Sequence, residues 1–130
     1  MADVKSILKM MKDKDVKYVD LRFTDPRGKW QHLAMDVRMM DESAFEDGIM
    51  FDGSSIAGWK AINESDMTLM PDVNSVTFDP FSAHSMMVIF CDVLEPSTKE
   101  QYGRCPRSVA KRAEAFVKSS KVGDVAYYGP

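Results

Sequence analysis

Long apolar runs are scarce. Even the stretch Met86 to Phe90 stops far short of the roughly 20 residues that carry a helix across a bilayer. The first residues are polar and charged, so neither a membrane span nor a signal peptide is expected. Cysteine is equally sparse: Cys91 follows that apolar stretch and Cys105 precedes a proline, and the pair lacks metal-ligand spacing. Reduced thiols in a cytoplasmic protein are predicted, rather than a disulfide framework. Charge of one sign is lacking too. The chain has 17 basic and 20 acidic residues, a formal charge of -3, and no long block of either. A nucleic-acid footprint needs a clustered basic face, so no nucleic-acid partner is expected. Also missing are a glycine-rich phosphate loop with its lysine, a histidine pair at helical spacing and a trio of acidic metal ligands. A self-contained enzyme is therefore not visible, and no metal site is predicted in this chain.

What is present reads as a folded, soluble α+β domain. Hydrophobic residues make up 45% and charged residues 28% of 130 positions, ordinary for a globular domain and too apolar for a disordered one. Val4, Ile7, Leu8 and Met11 fall at i, i+3, i+4 and i+7, with Asp3 available as N-cap, which predicts an opening amphipathic helix. Val19, Leu21 and Phe23 alternate with polar residues over Val16 to Thr24, and Asp25-Pro26-Arg27-Gly28 then suits a hairpin turn onto Trp30 to Met35. Asp41 to Gly48 predicts a short helix capped by Asp41 and stopped by Gly48. Met67 to Met70, Val76 to Phe78 and Ser85 to Val93 read as strands. Pro106 fits the first position of a helix whose apolar stripe is Val109, Ala113, Phe116 and Val117, with Cys105 a poor N-cap. Val125 to Tyr128 resemble the start of another strand.

Met50 to Trp59 carries two glycines and two serines without a strand or helix period and reads as a loop. It is the segment where chemistry is most plausible. Asp52 and Ser55 could be aimed at a small polar ligand, and Trp59 offers a ring face to a cation. A carboxylate attracts ammonium and, once partly desolvated, gains basicity to remove its proton. Asp66 could cap or brace the loop. On local chemistry alone a plain surface turn remains the competing reading. His32 and His84 lack sequence partners and are assigned structural roles, and the methionines are assigned to packing.

Phe51-Asp52-Gly53-Ser54-Ser55-Ile56, followed by Gly58-Trp59 and Asn63-Glu64-Ser65-Asp66, resembles the ammonium-site loop of bacterial class I glutamine synthetases. Tyr18 to Asp25, Leu69-Met70-Pro71-Asp72, Asp79-Pro80-Phe81 and Pro106 to Ala113 match further landmarks in family order. The resemblance implies a β-grasp domain, a curved mixed sheet with helices packed on one side, over residues 1–104. Residues 105–130 would be the helix and strand start of a catalytic domain whose remainder is absent. It also implies that the parent makes glutamine from glutamate, ammonium and ATP through γ-glutamyl phosphate, with Mg2+ or Mn2+. This fragment alone would bind none of these cofactors and would be inactive. Asp52 matches the family aspartate that binds and deprotonates ammonium, and Ser55 a serine beside it. Gly53, Ser54, Trp59 and Asp66 would shape the site. The partner implied is the catalytic domain of the neighbouring subunit in a homo-oligomer, a dodecamer of two hexameric rings. The alternatives are a non-catalytic β-grasp interaction module and a γ-glutamyl ligase for another amine.

Overall fold

A computed structural model describes residues 3–61 and 64–127 of the chain. The first helix, α1 (Val4–Asp13), is fixed by a capping box in which Asp3 accepts the Ser6 amide at 2.7 Å and the Asp3 amide donates to Ser6 Oγ at 3.2 Å. Ile7 and Met11 are its buried face. Strands β1 (Tyr18–Thr24) and β2 (Trp30–Asp36) pair antiparallel around the turn at Asp25–Gly28. The buried Asp25 carboxylate holds that turn, accepting the amides of Arg27 and Lys29 at 2.9 Å and Gln31 Nε2 at 3.0 Å. Helix α2 (Glu42–Glu46) is capped by Asp41, which accepts the Ala44 amide at 3.0 Å. It ends at Gly48, whose φ of +80° suits glycine and whose position leaves no room for a Cβ, which would lie 2.4 Å from Thr68 Cγ2.

Four further strands complete the sheet: β3 (Ile49–Asp52), β4 (Asp66–Pro71), β5 (Thr77–Phe78) and β6 (Met86–Leu94). Strand order is β2-β1-β6-β4-β3, with β5 also on β6. The β1–β6 pair is parallel and the others antiparallel, so the sheet is mixed. Val19, Leu21 and Phe23 of β1 meet Met67 and Leu69 of β4 and Met87, Ile89, Cys91 and Val93 of β6 in one core. Ile7 and Met11 of α1 and Ala44 and Phe45 of α2 close the same core, which places both helices on one side of the sheet. Both cysteines are buried and free, and burial raises the Cys91 thiol well above its ordinary value.

Two sequence expectations need correction, and a third element differs from the usual reading of an amphipathic helix. Met50, Phe51 and Asp52 belong to β3 rather than to a loop. Their alternation, Ile49 and Phe51 half-buried with Met50 and Asp52 exposed, is too short to stand out until β4 pairs with it. Val125 to Tyr127 form no strand, because no neighbouring edge pairs with them, and Tyr128 lies outside the described residues. Helix α3 (Pro106–Ser119) forms as predicted, with Pro106 at its first turn and no side-chain cap from Cys105. Its apolar stripe, however, is not a packing face: Val109 is 48% and Phe116 68% exposed. The sheet is met instead by polar side chains. Arg107 reaches Asp92 at 2.8 Å and also Asp72, and Lys111 reaches Asp92. Asp92 alternates with the core-facing Cys91 and Val93, so α3 is tied to the outer face of the sheet.

Candidate functional site

Strands β3 and β4 form a hairpin-like pair whose last rung sets Asp52 opposite Asp66. Both carboxylates are exposed. Directly after Asp52 the chain turns through a 3-10 turn, Gly53–Ser55, capped by Asp52 itself. Asp52 Oδ1 accepts the Ser54 amide at 2.8 Å and the Ser54 hydroxyl at 2.7 Å. The Ser54 hydroxyl, then its amide, hold the Asp52 carboxyl below the ordinary carboxylate value, and the Ser65 hydroxyl adds a smaller push in the same direction. In this structure Asp52 is therefore an exposed, firmly ionised group. Among the described residues little covers the carboxylate, so burial raises its value less than the two Ser54 bonds lower it. Ser55 is exposed beside it but is not its partner; Ser54 fills that role.

The turn is pressed against β4. The Gly53 amide donates to Ser65 O at 2.7 Å, and a Cβ at position 53 would lie 2.2 Å from Met67 Sδ. Glycine is required there by close approach, not by an unusual backbone angle. Ile56 and Trp59 then plunge into the core. The Trp59 ring lies 5.5 Å from both Phe23 and Tyr102 and 6.3 Å from Phe51, and the residue is 6% exposed. No face is left for a cation, which corrects the cation-π reading: Trp59 anchors the loop from behind. The sequence pattern could not distinguish these roles, since a tryptophan after a Gly-Ser turn suits either.

A buttress that local sequence did not announce completes the frame. Lys60 Nζ meets Glu95 Oε2 at 2.7 Å and lies over the Tyr102 ring, and Arg104 donates to Gly58 O at 3.1 Å. Glu95 is 35 residues from Lys60 and Arg104 is 46 from Gly58, so only folding brings them together. Of the sequence-predicted site residues, Asp52, Gly53, Ser54, Ser55 and Asp66 are gathered at one end of the β3–β4 pair, with Trp59 beneath. Asn63 of the same motif lies outside the described residues. His32 Nδ1 lies 2.7 Å from Oδ1 of the buried Asp20.

A concavity of about 880 Å3 lies elsewhere, where β1 begins and β2 ends. It is lined by Leu8, Met11, Val37 and Met40 among others, and holds none of the predicted site residues. Geometry alone would favour it; the chemistry does not, because two of the carboxylates there are already held by local partners, Asp36 by Arg38 and Asp15 by Lys17. Among the described residues no group of three or more His, Cys, Asp or Glu side chains is placed to hold a metal ion. None of the described helices is long and apolar enough to cross a membrane.

Residues 15–96 match the family model described as glutamine synthetase, beta-Grasp domain. The chain is 66% identical over 130 residues to glutamine synthetase of Bradyrhizobium diazoefficiens, covering all of this chain and 28% of that protein. It is 59% identical over 130 residues to the Rhizobium meliloti enzyme, again covering 28% of it. The chain thus spans less than a third of the length of these curated relatives. The cryo-EM structure of Plasmodium falciparum glutamine synthetase superposes with a TM-score of 0.82 at 23% identity, over 92% of this chain and 23% of that one. That likeness establishes the fold. Together with the family match over the sheet and its Asp52 turn, and with identity to bacterial relatives along the whole chain, it shows that the chain belongs to the glutamine synthetase family, as its amino-terminal β-grasp domain.

Proposed function

We propose that this domain presents Asp52 to the active site of a neighbouring subunit in an ATP-dependent glutamate–ammonia ligase. There Asp52 binds ammonium and takes its proton, with Ser55 as a neighbouring hydroxyl. One observation carries the reading: an ionised carboxylate stands exposed at the start of a turn whose later large side chains, Ile56 and Trp59, are buried. Such a group attracts a cation but holds a proton poorly. Covering it with the surface of a second subunit would desolvate it and raise its basicity, which an ammonium-deprotonating base needs. Ammonium has no lone pair until that proton leaves; ammonia then displaces phosphate from γ-glutamyl phosphate.

Among the described residues no side chains are grouped to hold a metal ion. In this reading ATP, Mg2+ or Mn2+ and the glutamate pocket belong to the rest of the parent polypeptide. The parent would assemble in the cytoplasm as two stacked hexameric rings, and the boundary between its domains would fall at residues 1–104 and 105–130. Two observations support that division: the family match ends at residue 96, and α3 leaves its apolar stripe exposed. The same stripe favours an additional, non-catalytic role for the segment in domain or subunit contact.

In the full-length parent, Asp52→Asn should lower kcat/KM for ammonium by about 10²- to 10⁴-fold, the usual worth of a general base. Hydroxylamine, largely unprotonated at neutral pH, should remain a good acceptor for the variant. Mixed oligomers should regain activity when Asp52→Asn subunits are combined with subunits disabled in the catalytic domain. Unchanged ammonium kinetics in Asp52→Asn, or no recovery in the mixtures, would overturn the shared-site reading.

A further inference from the structure

We infer that Ser54 is a positioning residue for the Asp52 carboxylate, occupying Oδ1 so that Oδ2 is the oxygen presented to the incoming cation. The inference rests on the reading of Asp52 above and assigns the division of labour between its two oxygens. An ionised carboxylate has about four lone-pair sites. Two hydrogen bonds, from the Ser54 amide at 2.8 Å and the Ser54 hydroxyl at 2.7 Å, converge on Oδ1. Both of the close hydrogen bonds to Asp52 among the described residues fall on Oδ1, the Ser65 hydroxyl acts on the carboxylate more weakly than either, and Asp52 is exposed.

The carboxylate cannot rotate freely without breaking both bonds, and Ser54 cannot follow it. The Gly53 amide is bonded to Ser65 O at 2.7 Å and the Ile56 amide to Gly53 O at 3.1 Å, so the turn is closed on both sides of Ser54. Beneath it Gly53 is seated against Met67, with no space for a side chain. The backbone amide alone would tether Oδ1 at one point. The hydroxyl supplies the second, which fixes the carboxylate plane and hence the direction of Oδ2. Ser54 and Ser55 are adjacent and chemically alike, yet only Ser54 holds Asp52. Ser55 is exposed and, among the described residues, is not bonded to Asp52.

The two bonds also set the acidity of the group, since they stabilise its charged form. Losing the hydroxyl removes the largest of the causes that lower it, so the carboxyl must titrate at higher pH. In the full-length parent, Ser54→Ala should reduce kcat/KM for ammonium by about tenfold, the scale of one hydrogen bond to an ionised group. The acidic limb of its pH profile should move to higher pH, while turnover with hydroxylamine changes little. Ser54→Thr restores the hydroxyl and should return the limb towards its original position. Ser54→Val, of the same shape without the hydroxyl, should not. A merely structural role would lower activity equally with both amines and leave the limb in place.

The inference is overturned if Ser54→Ala and Ser54→Val keep the unaltered ammonium kinetics and acidic limb while Asp52→Asn is impaired. In that case the reading of Asp52 survives alone. If Asp52→Asn itself leaves ammonium kinetics unchanged, the functional reading fails and the assignment of Ser54 fails with it.

Discussion

The turn Gly53–Trp59 and the helix α3 are secured in opposite ways. The turn has little regular structure of its own, yet Ile56 and Trp59 sink into the core and Gly53 is packed against Met67. Its polar residues are left at the surface on a rigid base. Helix α3 has 14 residues of regular structure, yet it is held to the sheet largely through Arg107 and Lys111 on Asp92 and Asp72, while Val109 and Phe116 stay exposed. Regular secondary structure is thus a poor guide to how firmly a segment is fixed. Apolar anchorage resists salt and holds a functional group in place. Ion-pair anchorage with an uncovered apolar stripe suits a segment that meets another surface.

The two modes of anchorage differ most at Trp59. Trp59→Ala removes the ring packed among Phe23, Phe51 and Tyr102 and should cost about 3–5 kcal/mol, read as a lower denaturant midpoint of the 130-residue chain. An unchanged midpoint would show that the turn is not anchored from behind. Asp92→Asn comes next. It weakens two ion pairs at once, and because the groups are partly exposed the cost should be about 1–2 kcal/mol. Amide exchange should accelerate in α3 far more than in β1 or β6, and the gap from the unaltered chain should narrow in high salt. Uniform acceleration across the domain would mean that α3 is part of the cooperative core. Smallest of all, Phe116→Ser should shift stability by no more than about 0.5 kcal/mol, since the ring is 68% exposed. Self-association measured by sedimentation should fall at the same time. A large loss of stability from this substitution would place the stripe inside the fold rather than on an interaction surface.

Periodicity and capping chemistry were enough to locate α1, α2 and α3, the hairpin at Asp25 and the strands of the core, because each signal acts within a few residues. Asp3, Asp41 and Pro106 stand where the sequence puts them. The candidate site was legible as a set of residues, since glycine, serine and aspartate crowd into one short segment. Three properties were not. Whether Trp59 faces solvent or core depends on Phe23 and Tyr102, which are far away in the chain. Which serine holds Asp52 depends on the 3-10 turn, which closes only when the Gly53 amide finds Ser65 O across the sheet. The fate of the α3 stripe depends on what the helix packs against, and amphipathicity states that a face is apolar without saying what covers it. Local preferences act through backbone sterics and neighbouring hydrogen bonds, so the helices, the first hairpin and the chemical inventory of the turn follow from the sequence, whereas β3 needed its pairing with β4. Burial and the aim of a carboxylate are set by contacts between distant residues, so the anchoring of Trp59, the pairing of Ser54 with Asp52 and the uncovered face of α3 were decided only by the tertiary structure.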